Sequence, residues 1–457
     1  MRWVSVLTVL AFIAAAGLAP APAVAITPPV VPPGPPPTGP VAPPTPTEQK
    51  SACGVGATLP NSQFRLQPGA DAMLNYTGAW TFSRGAGQKV AVIDTGVTPS
   101  PRFLALQGGG DYVSTTDGLV DCDAHGTLVA GLIAATSSPD DAFAGVAPDA
   151  TILSIRQNSG SYSAQGASPP QNDPNALSPG YGNTQTLALA IVHAVDLGAT
   201  VINLSEAACA PVGADIDDAA VGYAVRYAFE RNVVVVAAAG NISSGGLCST
   251  QNGVRDPNLP LADAWSSVRT VASPAWFTDY VLTVGAVRPD GLPSDFSLHG
   301  PWVDLAAPGE DLTSLSSTGP GLINAWLDQQ RGLVPISGTS FAAALVSGVV
   351  ALVRARFPEM SAAEVMERIM RTARTPEAGP NAATGFGVVD PLAALTYDLP
   401  PTDVLPSSVG GQAVARPPEQ DPGGPRTRNI VLIIVGVCVS LAAVALVLAK
   451  KPAGKRE

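Results

Sequence analysis

Three features of the sequence predict an α/β fold: a mainly parallel central sheet with helices on both faces. Five short runs, 89–93 (KVAVI), 151–155 (TILSI), 200–204 (TVINL), 233–237 (VVVVA) and 280–287 (YVLTVGAV), are apolar and β-branched throughout instead of alternating. That is the pattern of strands buried on both faces. Between them, 186–197 and 216–231 carry helical spacing. Strand and helix alternate along the chain, which favours parallel strands joined by crossover helices. Ligands of such sheets bind at the carboxyl ends of the strands, so residues that follow a strand are the ones to inspect.

The elements fall in one globular block, 63–398, with distinct segments on either side. Residues 1–25 read as a secretory signal: Arg2, an apolar stretch over 4–18, and the small-x-small site Ala23-Val24-Ala25. Residues 26–62 form a Pro-rich extension, expected to be an extended arm that packs no core of its own. Residues 399–428 are a Pro/Gly-rich linker. Residues 429–449 hold an uncharged apolar run long enough to cross a bilayer, and 450–457 carry Lys450, Lys451, Lys455 and Arg456. These features predict a single-pass cell-membrane protein with its body outside the cytoplasm and its C-terminus inside. The net charge of −11 excludes a nucleic-acid partner, which would need a basic surface.

Cys438 lies within the expected span, and the other four cysteines fall in the exported part, where disulfides persist. Cys209 and Cys248 each follow a predicted strand, and neighbouring parallel strands would bring those loops together, leaving Cys53 for Cys122. The spacings do not fit a zinc site and no acidic loop suggests calcium, so no metal or other cofactor is expected.

Four segments carry chemistry. Val92-Ile93-Asp94-Thr95-Gly96 ends a strand in an acid, and His125-Gly126-Thr127 opens a small-residue helix. Ala237-Ala238-Ala239-Gly240-Asn241 ends a strand in an amide, and Gly338-Thr339-Ser340 opens a long apolar helix. An acid, a histidine and a serine at element boundaries supply what acyl transfer needs. The histidine takes the serine proton and the acid fixes its tautomer. The Ser340 amide, at the positive end of a helix, can donate to an oxyanion. The remaining histidines, His193 in an apolar helix and His299 in a loop, read as structural.

Together these motifs resemble the subtilisin-like serine protease family: VIDTG at Asp94, HGTLVAG at His125, AAGN at Asn241 and GTSFAAALVSG at Ser340. Segments 296–309 and 385–390 (GFGVVD) add weaker matches. The resemblance implies a three-layer subtilisin-like fold with Asp94, His125 and Ser340 as catalytic triad, and Asn241 with Ser340 as oxyanion hole. It also implies substrate binding by Ser205, Glu206, Ala207, Ala238 and Gly240. Glu206 stands where the family often has a small residue. An aspartic protease would need a second Asp-[Thr/Ser]-Gly, which the chain lacks. An α/β-hydrolase would place the acid and histidine after the serine, the reverse of this order.

The whole layout resembles the mycosins, membrane-anchored proteases of actinobacterial type VII secretion systems. That resemblance implies secreted peptide and protein substrates, and association with a type VII secretion membrane complex that the protease would also stabilise. The alternative is mainly a scaffold with dispensable proteolysis. The long stretch 159–184, holding Pro169, Pro170, Pro174 and Pro179, is expected to lack regular structure and to bind partners together with the arm.

Overall fold

A computed structural model describes residues 26–400 except 167–172, 178–179, 244–245, 247, 254–260, 329–330 and 378. The expected signal, most of the linker, the expected span at 429–449 and the tail lie outside the described residues.

Seven strands, labelled in chain order, form one sheet: β1 Lys89–Asp94, β2 Ala105–Asp111, β3 Thr151–Arg156, β4 Val201–Leu204, β5 Val234–Ala238, β6 Val281–Val287 and β7 Leu305–Pro308. Their spatial order is β7-β6-β5-β4-β1-β3-β2, and every neighbouring pair is parallel. The predicted strands are present to within a residue or so at each end. Alternate side chains feed two cores. Val90, Val92, Val234 and Val236 join one cluster, while Ala91, Ile93, Val235 and Ala237 join the other. Both faces are dry, which is why these runs carry no polar alternation.

Helices α1 His125–Ala134, α4 Thr339–Arg356, α5 Ala362–Arg371 and α6 Pro391–Thr396 contribute to the first core, and α2 Thr184–Asp196 and α3 Ala219–Glu230 to the second. At 18 residues α4 is long and apolar enough to cross a membrane, but 89% of it is buried within the protein, as a core helix is. From β1 the chain runs to the edge strand β2 and returns to β3 beside β1, then crosses over to build β4 to β7 outward on the other side. The direction reverses at β1, so the crevice at the carboxyl ends of β1 and β4 is the topological switch point where such sheets bind ligands.

The extension is part of this body. Val31 packs against the α2/α3 side and Ile26 against a third cluster built on Trp265 and Trp302. Thr47–Gln49 pairs antiparallel with Tyr162–Ala164, and Gly56–Ala57 adds to the hairpin of Ala325–Asp328 and Gly332–Pro335. Disulfides join Cys53 to Cys122 and Cys209 to Cys248. Within 159–184, expected to lack regular structure, Tyr162–Ala164 form a short strand held by the arm and Ser159 bridges Tyr181, while 167–172 and 178–179 lie outside the described residues.

The sheet edge beneath this pairing is tied by a buried ion pair. Asp111 Oδ2 lies 3.5 Å from Arg156 Nη1, both side chains fully buried, and the guanidinium carbon sits 4.5 Å from the Tyr162 ring centre. Asp111 also accepts from the Val113 and Ser114 amides at 2.6 and 2.8 Å, and from the Ser114 and Thr116 hydroxyls at 2.7 and 2.6 Å. Burial opposes its charge, but these bonds hold its pKa below the ordinary value. Replacing Asp111 with Ala strands a buried guanidinium and two amides. The expected loss is about 3–5 kcal/mol of stability, measured by denaturant unfolding; a change within error would show that the pair holds nothing together.

Candidate active site

β1 delivers Asp94 fully buried at the switch point. Its Oδ1 accepts from the Thr95 amide at 2.7 Å and faces His125 Nδ1 at 2.7 Å. A carboxylate only accepts, so the bond fixes the proton on Nδ1 and leaves Nε2 free of it in the neutral ring. His125 reaches Asp94 because α1 begins at once. Ala124 sits in the left-handed region at φ 64°, and the first turn is pinned by a second buried acid. Asp121 accepts from the Thr127 amide at 2.8 Å, the Thr127 hydroxyl at 2.6 Å and the Thr95 hydroxyl at 2.8 Å. The Thr95 hydroxyl in turn accepts from the Gly126 amide at 2.9 Å. The close approach needs glycine: a Cβ on Gly126 would lie 2.1 Å from the Gly96 carbonyl oxygen, and Gly96 itself has φ 102°.

Opposite stands Ser340, in the first turn of α4 and nearly buried. Its hydroxyl donates to the Ser205 carbonyl at 2.9 Å, and among the described residues no hydrogen bond joins it to His125. A buried chain fixes the two elements together: the Ser347 hydroxyl donates to Asn203 Oδ1 at 2.8 Å, and Asn203 Nδ2 to the Ser205 hydroxyl at 2.7 Å. Asn241 follows β5. Its Oδ1 accepts from the Thr339 amide and hydroxyl, both at 3.0 Å, which assigns the oxygen and leaves Nδ2 as the free donor. Gly240, at φ 104°, lets the chain turn directly over the Cys209–Cys248 sulfurs.

His125, Asn241 and Ser340 line one cleft of about 360 Å³ together with Asp123, Glu206 and Trp326. The Phe341 ring centre is 5.2 Å from that of His125. Glu206 Oε1 lies 3.9 Å from His125 Nδ1. Burial disfavours the imidazolium, yet the charge and hydrogen bond of Asp94, then the charges of Glu206 and Asp121, outweigh it and raise the His125 pKa above 6.5. Burial raises the pKa of Glu206, and Asp94 and Asp123 add to this against the attraction of His125. Burial, aided by Asp94, pushes Asp121 up to about 6 against its bonds from Thr127 and Thr95.

The fold thus brings Asp94, His125, Asn241, Ser340, Ser205 and Glu206 to one place. Of the other expected substrate residues, Ala207 packs against the third cluster and Ala238 sits in the core at the end of β5. Among the described residues, no three His, Cys, Asp or Glu side chains converge as a metal would need. Sequence reasoning missed Asp121, Trp326 and Phe341. The two acids spaced before His125, with threonines at 95 and 127, were a signal for the first. Trp326 arrives from a hairpin that no local pattern links to the site.

Residues 85–387 match the model of the subtilase family, peptidase S8, and the chain belongs to that family of serine proteases. Within it, the chain belongs with the mycosins. It is 46% identical over 440 residues to mycosin-1 of Mycobacterium tuberculosis H37Rv, covering 95% of this chain and 96% of that one. It is also similar to the crystal structure of MycP1 from Mycobacterium smegmatis, with TM-score 0.76 and 45% identity over 82% of this chain and 96% of that one. A chain in the structure of an intact ESX-5 inner membrane complex matches with TM-score 0.75 and 43% identity over 93% of this chain and 99% of that one.

Asp121 is the acid on which the geometry of α1 rests. Asp121→Ala leaves the buried Thr127 amide and hydroxyl without an acceptor, an expected cost of about 1–3 kcal/mol. An unchanged denaturation midpoint would show that the start of α1 is held by other contacts.

Proposed function

We propose that this serine protease is an endopeptidase acting through Asp94, His125 and Ser340, and that it works on secreted proteins at a type VII secretion membrane complex. The observation that carries the catalytic reading is the 2.7 Å bond between His125 Nδ1 and buried Asp94, in the cleft that also holds Ser340 at a helix N-terminus. Rotation about the Ser340 Cα–Cβ bond turns its hydroxyl from the Ser205 carbonyl toward Nε2. His125 then takes the proton as Oγ bonds to the scissile carbonyl carbon. The carbonyl oxygen becomes an oxyanion, met by Asn241 Nδ2 and the Ser340 amide. Collapse of this intermediate expels the amine, which takes the proton from His125, and water releases the acyl group by the same route.

The complex is supported by similarity to a chain of the ESX-5 inner membrane complex. The apolar run at 429–449 with its basic tail supports a single-span anchor, the body on the periplasmic side and the C-terminus in the cytoplasm. A scaffold role beside proteolysis has its own support. The arm strands Thr47–Gln49 and Gly56–Ala57 pair with Tyr162–Ala164 and with Ala325–Asp328, and among the described residues they make no hydrogen bond to Asp94, His125 or Ser340.

Ser340→Ala and His125→Ala are each expected to abolish most peptide turnover, because the members act as a unit. Labelling of wild type but not Ser340→Ala by a fluorophosphonate probe identifies the nucleophile; equal cleavage by Ser340→Ala overturns the reading. In a deletion strain, Ser340→Ala is expected to restore export and an intact membrane complex. Loss of both with folded protein at normal level would tie secretion to catalysis. Asn241→Ala is expected to lower kcat by roughly 10²–10³-fold with little change in KM, the scale known for a single donor in a subtilisin. An unchanged kcat would reduce Asn241 to a cap for Thr339.

A further inference from the structure

The cleft holds a charge that the chemistry above does not use. Acids act on His125 from three elements, Asp94 from the end of β1, Asp121 from the turn before α1 and Glu206 from the segment after β4, and Asp123 of the same turn lines the cleft and faces Glu206. None of the residues lining the cleft is Lys or Arg. Three of these acids are engaged. Asp94 holds His125 and the Thr95 amide, and Asp121 holds Thr95 and Thr127. Asp123 accepts from the Ser159 hydroxyl and from the Ser161 amide and hydroxyl. Glu206 differs. Among the described residues its carboxylate accepts no hydrogen bond, its side chain is 26% exposed, and its nearest cation is His125 at 3.9 Å. It is also the residue after Ser205, whose carbonyl receives the Ser340 hydroxyl, so it lies beside the reacting centre.

We propose that Glu206 is a specificity-determining residue: its carboxylate takes the Lys or Arg side chain of a substrate next to the scissile bond and is thereby drawn off His125. The proposal rests on the triad reading above. A largely desolvated carboxylate without a donor is under-satisfied, and a substrate ammonium or guanidinium supplies the missing charge-assisted bond. The same event favours catalysis. While Glu206 and Asp94 both face the ring, they favour the imidazolium, which cannot accept the Ser340 proton. A substrate cation that neutralises Glu206 removes one of the two charges and favours the neutral ring, so the correct substrate helps to produce the base. On a neutral peptide, wild-type activity should rise with pH above the ordinary histidine range. Removing the Glu206 charge should move that acid limb to lower pH, because one fewer anion stabilises the proton.

The test uses the whole protein and quenched peptides carrying Lys or norleucine at successive positions on either side of the cleaved bond. Wild type should prefer Lys at one position by roughly 10–100-fold in kcat/KM, the value of one hydrogen bond to a charged group. Glu206→Gln, isosteric and uncharged, should bring that ratio near unity and shift the acid limb downward on the neutral peptide. Glu206→Lys should invert the preference toward acidic residues. A wild-type enzyme that labels with fluorophosphonate and cleaves without such a preference overturns this proposal alone. So does a Glu206→Gln enzyme that keeps both the preference and the pH profile. Failure of Ser340 to label would overturn the triad reading, and this proposal with it.

Discussion

The structure depends on one buried charge. Asp94 is fully enclosed at the centre of the sheet, and among the described residues its Oδ2 has no hydrogen-bond partner. Taking a carboxylate out of water costs several kcal/mol unless donors or an opposite charge meet it. Its nearest donors are the Thr95 amide and His125, so the acid anchors the histidine as much as the histidine uses the acid. The rest of the local design permits this contact. Gly96 and Gly126 remove the side chains that would keep β1 and α1 apart. Asp121 and Thr95 convert the turn after the strand and the first turn of the helix into one hydrogen-bonded unit.

This dependence explains which parts of the molecule can be read in the sequence. The five predicted strands were legible because each lies between two dry layers, and that environment selects unbroken β-branched runs. β2 was not, since Ala105–Asp111 is an edge strand carrying three successive glycines. At Gly109 a Cβ would lie 2.7 Å from Ile155 Cγ1, so close packing removed the apolar signal itself. β7 was legible only through the family resemblance, because LAAP is too short for periodicity to register.

The site divides along the same line. Asp94, His125, Asn241 and Ser340 each sit within a turn or helix start whose backbone geometry demands glycine or small neighbours, and those neighbours are what make a motif. Trp326 acts through tertiary contact and leaves only an ordinary residue in the chain, while Asp121 and Phe341 lie beside or within the motifs and show their contacts to the site only once the chain is folded. The pairing of the arm was not legible for a related reason. Its prolines and glycines do preclude a core of its own, as expected. An extended chain nonetheless exposes backbone donors and acceptors, and these pair with whatever strand edge lies alongside. Tyr162–Ala164 and the 325–335 hairpin supply such edges.

These two pairings connect the arm to the site. The arm crosses from Tyr162, which covers the buried Arg156, to the hairpin that carries Trp326 into the cleft. Between them Cys53 is bonded to Cys122, three residues before His125, and the Gly54 amide donates to the Cys122 carbonyl at 2.7 Å. The closed loop this bond makes constrains the unfolded chain, which for loops of this size is a stabilisation of about 4 kcal/mol. Its place matters as much as its size. It fixes the turn holding Asp121 and Asp123, the segment whose small displacement would part His125 from Asp94. A segment with no core of its own is therefore tied covalently three residues from His125, and it is tied from outside the cleft.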